Sequence, residues 1–435
     1  MTAGPGATLA QSGPDVPGAE PGSESDEAAE PRERWAQLAL ISVGILCAMS
    51  PSFASSSVAP LLRQAWGMDA LGVSWLLVAM LVGFSVSAIG LGVIGAPDVI
   101  PGPRLFALGA LAAGIANLGF AFLANDLPSA LVFRFLTGVG VAAAYPVAMK
   151  LTAGWFRRER GLAIGVMAGA LTLGTSSPLL FRAVGAMASV DWRVVIATAS
   201  VACFVGALVI WIGVRTGPFD AAAPRFSLRI AARAYAEPAV RLANFGYLGH
   251  MWELFAMWTW VPLYFVASFT AAGLTDPATA SFAAFVVAAG GVVGCVVAGA
   301  LADRIGRTTT TIAAMTASGT CAVLVGLAFG AAPALVTALG IVWGVTVIAD
   351  SAQFSAAVSE LAPAGTAGSA LALQTAVGFV FTSITIVLIG VLAPTDEAGW
   401  RVAFGLLALG PVAGIIAMWR LRRRDESLVM ANGHR

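Results

Sequence analysis

Twelve apolar runs, each long enough to cross a bilayer, constrain this chain more than any other feature. They fall at about 37–60, 72–95, 105–124, 128–150, 161–185, 193–214, 241–266, 279–301, 309–330, 334–357, 367–393 and 400–420. A helix needs roughly 20 residues to cross the hydrocarbon. Backbone groups there have no water to bond, so a single apolar run satisfies them only as a helix. Hydrophobic residues make up 58% of the chain and charged residues 11%, where a soluble domain carries about 25% charged residues. The joining stretches are short and leave room for no large soluble domain. The expected fold is an all-α membrane protein with twelve transmembrane helices, referred to below as spans 1 to 12.

Residues 1–34 break the pattern. They are rich in Pro, Gly, Ser and Ala and carry seven acids (Asp15, Glu20, Glu24, Asp26, Glu27, Glu30, Glu33) against Arg32 and Arg34. Such a segment reads as a disordered tail. It lacks the basic start and apolar core of a signal peptide. The rest divides into a six-helix bundle at 35–215, a basic linker at 216–240, a second bundle at 241–420 and a tail at 421–435. With the N-terminus inside, 19 of the 24 Lys and Arg residues fall on the inner side, so both termini are expected in the cytoplasm. Lys150 is the only lysine, and Ala, Gly and Arg are heavily used, a bias of GC-rich bacterial genomes. The expected location is therefore a bacterial inner membrane. The net charge of +1 gives no reason for a nucleic-acid partner. Cys47, Cys203, Cys295 and Cys321 all lie within apolar runs and read as packing residues.

The two halves echo each other. Asp191-Trp192-Arg193-Val194 precedes span 6, and Gly399-Trp400-Arg401-Val402 precedes span 12. Between spans 8 and 9 stands Gly299-Ala300-Leu301-Ala302-Asp303-Arg304-Ile305-Gly306-Arg307. An Asp in such a tight loop can sit at the positive N-terminus of a neighbouring helix, with the Arg residues holding it there. This stretch resembles, without a gap, the loop signature of the major facilitator superfamily. Arg134-Phe135-Leu136-Thr137-Gly138-Val139-Gly140 in span 4 is similar to a second mark of that family, as is Trp155-Phe156-Arg157-Arg158-Glu159-Arg160-Gly161-Leu162-Ala163 before span 5. The resemblance implies two pseudo-symmetric six-helix halves and a secondary transporter working by alternating access. In the first half the loop signature is eroded to Gly95-Ala96-Pro97-Asp98-Val99-Ile100-Pro101-Gly102-Pro103-Arg104. Asp98, Arg104, Gly299, Asp303, Arg304, Gly306 and Arg307 are the gating residues implied, with a weaker charge latch at the first loop. Span 5 lacks the Gly-Pro motif of drug–proton antiporters, its proline being Pro178 after Ser177. Gly249-His250-Met251-Trp252-Glu253-Leu254 and Ala349-Asp350-Ser351-Ala352-Gln353-Phe354 look most like the nitrate/nitrite- and cyanate-type porters. The Asn-containing signature of nitrate porters is missing from spans 5 and 11, so nitrate is not carried over as substrate.

A charge near the bilayer centre costs roughly 2.5–3.5 kcal/mol, so Arg134, Glu253 and Asp350 each need a reason. The resemblance places spans 1, 4, 7 and 10 around a central cavity, and these charges fall on spans 4, 7 and 10. His250 and Glu253 are three residues apart and share a helix face. Together they can hold a proton near neutral pH, or form a structural pair between helices. Arg134 can bind an anionic substrate, pair with an acid such as Glu253, or act as a conformational or proton-relay residue. Asp350 shares a face with Gln353, and either binds a cation or proton or pins span 10 to a basic residue. Trp252, Trp258, Trp260, Tyr247 and Tyr264 cluster on span 7, for packing or for stacking on a flat substrate. Ser56, Tyr145, Trp260 and Tyr264 are the cavity-lining candidates. Glu360 reads as a loop or gate residue.

There is no phosphate-binding Gly-Lys-Ser/Thr loop, no enzymatic constellation and no His-based metal cluster; no cofactor is expected. The leading expectation is a monomeric, proton-coupled transporter of a small polar solute, anionic if Arg134 binds it. A drug or metabolite/proton antiporter is the alternative. A non-transporting sensor or scaffold is the alternative of another class.

Overall fold

The computed structural model describes residues 1, 31–157, 159–187, 190–220, 226–392 and 394–434. Most of the N-terminal segment expected to be disordered lies outside these residues. Among the described residues, eleven helices are long and apolar enough to cross a membrane: Ala70–Ile94, Gly102–Leu123, Leu127–Trp155, Gly161–Met187, Trp192–Gly213, Pro238–Ala271, Pro277–Ile305, Arg307–Leu327, Pro333–Leu361, Ala367–Leu392 and Glu397–Arg422. They are spans 2 to 12. Span 1 is assembled from shorter pieces, Arg34–Met49, Ala54–Ser57 and Ala59–Trp66. Span 7 runs well beyond its expected 241–266, and a helix at Leu228–Ala236 occupies part of the expected linker. Within the expected tail, a 3-10 helix forms at Asp425–Gly433.

Local sequence explains where spans begin. Asp69, Asp126, Asp191, Asp276 and Asp396 each accept a backbone N–H in the first turn of the helix that follows, supplying the partner that those N–H groups otherwise lack. All five lie on the side opposite the linker. The Ser129 hydroxyl and amide hold the Asp126 carboxyl below the usual range, and Thr279 does the same for Asp276. Span 9 starts at Gly306, whose φ of +95° is open mainly to glycine.

Each half is tightened by a glycine contact. A Cβ at Gly138 in span 4 would collide with the Met80 carbonyl of span 2. One at Gly344 in span 10 would collide with the Val287 carbonyl of span 8. The two glycines are 206 residues apart, so the same backbone-to-backbone approach recurs in both halves. Between halves, the Ser74 hydroxyl of span 2 donates to the Ile386 carbonyl of span 11 at 3.1 Å. The Phe84 and Phe379 rings meet at 4.7 Å. Thr172 of span 5 lies 3.8 Å from Cys295 of span 8. The structure is thus an all-helical, two-half membrane fold.

Candidate functional site

Among the described residues, three spans lose their helix midway over three or more residues, while spans 8 and 12 are interrupted only at the single residues Gly290 and Ala408. Span 1 is unwound at 50–53, span 4 at 142–144 and span 10 at 348–350. Non-helical backbone at membrane depth is tolerated where protein buries it or where it lines a cavity. Here all three breaks lie against one cavity of about 130 Å³ between the halves. Ser52 and Phe53 reach it from the first break, Tyr145 from beside the second, and Ile348 and Ser351 from the third. Span 7 faces it with Tyr247, Met251, Leu254, Phe255 and Trp258, a spacing that puts all five on one helix face. Spans 2, 5 and 11 complete it, with Phe84, Leu171, Thr175, Thr375 and Phe379 among the lining residues. Apolar and aromatic side chains predominate, with hydroxyls as the polar groups. Among the described residues no charged side chain lines it.

The charged groups stand behind this wall. Proline at 51 brings no N–H and interrupts the helix, leaving carbonyls to be satisfied. Arg134, fully buried, takes them: its Nη1 donates to the Pro51 carbonyl at 2.8 Å and Nη2 to the Ser52 carbonyl at 2.6 Å. Nη1 also reaches Asn117 Oδ1 at 3.4 Å. The expected pairing with Glu253 is not formed; carbonyl dipoles surround this guanidinium instead. Arg134 therefore ties span 4 to the break in span 1.

Nor do His250 and Glu253 pair, although both are buried. His250 Nδ1 lies 2.8 Å from Asp350 Oδ1. This is a close polar contact rather than an aligned hydrogen bond. Among the described residues, His250 Nε2 and Asp350 Oδ1 have no hydrogen-bond partner. Asp350 is therefore pinned to span 7 through His250. Glu253 turns to spans 9 and 10, where its carboxylate accepts Trp343 Nε1–H at 2.7 Å and the Ser318 hydroxyl at 2.9 Å. Chain neighbours Met251 and Ser351 line the cavity and the His250 ring meets that of the lining Tyr247 at 6.1 Å, so the His250–Asp350 pair adjoins the cavity wall without lining it.

Of the cavity-lining expectations, Tyr145 is at the cavity. Ser56 is buried away from it, and Ser52 is the span 1 serine that reaches it. Trp260 and Tyr264 lie on the far face of span 7. Tyr264 donates its hydroxyl to the Val325 carbonyl and packs on Trp400 and Phe404 at 5.4 and 4.8 Å. Gln353 does not join Asp350. Its Oε1 accepts from Arg307 Nη1 at 2.8 Å.

Arg307 is the centre of the second-half loop. It bonds Asp303 Oδ1 at 3.1 Å and Glu360 Oε1 at 2.8 Å besides Gln353. A Cβ on Gly161, in the first turn of span 5, would stand 3.4 Å from Asp303 Oδ2, so the carboxylate faces that helix start, where the dipole favours it. Glu360 also accepts the Ala431 N–H at 3.1 Å, docking the C-terminal 3-10 helix, with Met430 fully buried. Arg304 is exposed, and a Cβ at Gly299 would meet open space. In the first half, Arg104 is exposed with no ion pair among the described residues. The Asp98 side chain lies outside the described residues. Sequence spacing missed Trp343, Ser318 and the tail contact, because each partner comes from a distant span.

The sequence profile of the Major Facilitator Superfamily matches residues 41–385, and the chain belongs to that superfamily. It is a transporter-fold membrane protein, not an enzyme. Among solved structures it is similar to the xylose transporter XylE from E. coli in a partially occluded inward-open conformation. That likeness has a TM-score of 0.69 at 15% identity, over 89% of this chain and 99% of the other. It is similar to a point mutant of the nucleoside transporter NupG, with a TM-score of 0.68 at 12% identity over 89% and 99%. It is also similar to a bacterial homolog of the human lysosomal transporter Spinster, inward-facing and unoccupied, with a TM-score of 0.63 at 13% identity over 90% and 96%. These likenesses carry the fold alone. No curated protein matches the chain at a significant level.

Proposed function

We propose that the chain is a proton-coupled secondary transporter that expels a small, largely apolar molecule by alternating access. The carrying observation is the cavity at the three helix breaks, which is aromatic and aliphatic with a few hydroxyls. An anionic solute would need a cation there. Arg134 is engaged with the Pro51 and Ser52 carbonyls, so the expectation of an anion gives way to the antiporter alternative. Apolar molecules cross bilayers unaided, so an apolar carrier does useful work by moving them outward.

The buried groups His250, Asp350 and Glu253 support the coupling part of the reading. Intramembrane titratable side chains are costly and recur where protons are relayed. Their place behind the cavity wall lets occupancy and protonation influence each other through spans 7 and 10. The distribution of basic residues supports a cytoplasmic position for the linker side, in a bacterial inner membrane. A thermal-shift panel on the full chain in detergent tests the substrate class. Neutral aromatic compounds should raise the melting temperature, while nitrate, xylose and simple carboxylates leave it unchanged. Stabilisation by the anions alone would refute the apolar assignment.

A further inference from the structure

We infer that the outer surface between spans 7, 11 and 12 is a binding site for one anionic phospholipid. Spans 7 and 12 approach closely at glycines: a Cβ at Gly249 would stand 2.5 Å from the Gly410 carbonyl oxygen. That approach leaves a shallow floor with larger side chains on its flanks. Phe245, Trp252, Phe381 and Ile416 wall a groove of about 550 Å³ that lies away from the transport cavity. The Trp252 indole is held by donating to the Leu406 carbonyl at 2.9 Å, and it meets Phe381 at 5.4 Å.

The groove ends at guanidinium groups. A second hollow of about 360 Å³, lined by Pro238, Arg241, Phe245, Arg420 and Arg424, adjoins it. Arg420 lines both. It is exposed, and no acid or acceptor pairs with it among the described residues. Arg241 donates to the carbonyls of Tyr235 and Ala236 at 3.2 and 2.8 Å and stays exposed. Arg424 pairs with Glu426 at 2.9 Å. The cluster therefore keeps a surplus of positive charge. One residue before Arg420, Trp419 stacks under Arg423 at 3.4 Å. Such an aromatic marks the headgroup level of a span.

An apolar trough leading to the unpaired Arg420 guanidinium, flanked by Arg241 and Arg424, at headgroup depth matches acyl chains joined to a phosphate. A lipid with an added ammonium would bring a like charge toward Arg420. A second copy fits poorly. A two-fold axis along the membrane normal would place both arginine clusters on the same side, where they repel. The inference rests on nothing in the transport reading.

Native mass spectrometry of the full chain in detergent, titrated with dioleoylphosphatidylglycerol or dioleoylphosphatidylcholine, tests it. The wild type should retain one phosphatidylglycerol that phosphatidylcholine does not displace. Arg420→Gln should weaken retention about fivefold, and Arg241→Gln with Arg420→Gln about twentyfold. Ala413→Trp, which fills the groove from an exposed position, should abolish retention without lowering the melting temperature. Equal retention by wild type and double variant would overturn the proposal. So would competition by inorganic phosphate at the lipid's own concentration, or a dimer that occupies the face instead.

Discussion

His250 Nδ1 stands 2.8 Å from Asp350 Oδ1, and this buried contact joins span 7 to the break in span 10. Removing one member of a buried pair strands the other, at roughly 3–5 kcal/mol, whereas replacing both by apolar groups costs far less. Asp350→Leu alone should therefore destabilise strongly, and His250→Phe with Asp350→Leu should recover much of the loss. Denaturant melts of the four proteins in detergent give the coupling energy. Additive losses would mean that the two groups do not interact.

Arg134 should matter as a strut for the span 1 break. Arg134→Met removes the charged donor from both carbonyls, leaving Ser52 without one among the described residues and Pro51 with only the Ala54 N–H at 3.3 Å, an expected cost of about 3 kcal/mol given the strength of charge-assisted bonds. Arg134→Lys should lose less, because an ammonium reaches one carbonyl. If Arg134→Met melts like the wild type, the carbonyls have other partners.

The cavity predicts a steric block. Ser355 and Thr375 line it, and tryptophan at either position would fill it. Ser355→Trp and Thr375→Trp should weaken binding of a stabilising aromatic compound about tenfold or more while the proteins still insert and purify. Unchanged binding by isothermal titration would place the substrate elsewhere.

Much of the fold was legible because a bilayer leaves few choices. Twelve apolar runs and one intact loop signature were enough for the helices and for the family. Span ends moved where caps such as Asp69 and glycine starts such as Gly306 decide them. The site was legible only in part. Sequence placed Arg134, Glu253 and Asp350 in the interior but paired them wrongly, since helix spacing reports neighbours within one span. Glu253 meets Ser318 and Trp343 from spans 9 and 10, and no period in span 7 encodes that. Tyr264 and Trp260 looked like lining because they continue the face of Glu253. That face turns into the second half and leaves Tyr247, Met251 and Trp258 at the cavity.

The loop at Asp303 should govern switching between states. Arg307 links Asp303 with Gln353 and Glu360, and Glu360 holds the tail. Asp303→Asn should cut flux sharply with folding intact. Ending the chain at Arg424 exposes the Met430 site and should cost about 1.5–3 kcal/mol of stability. A truncated protein with wild-type melting would show that the tail contact contributes nothing.

Proton coupling through Glu253 is the central claim, and proteoliposomes carrying a trapped pH-sensitive dye test it most directly. Glu253→Gln keeps an acceptor for Trp343 or Ser318 and removes the titratable group. When an aromatic compound from the thermal-shift panel is added, wild-type vesicles should move protons. Glu253→Gln vesicles should move none, yet still exchange labelled for unlabelled compound at equal pH. His250→Ala should shift the pH optimum. Full proton movement by Glu253→Gln would contradict the account and move the coupling site to Asp350.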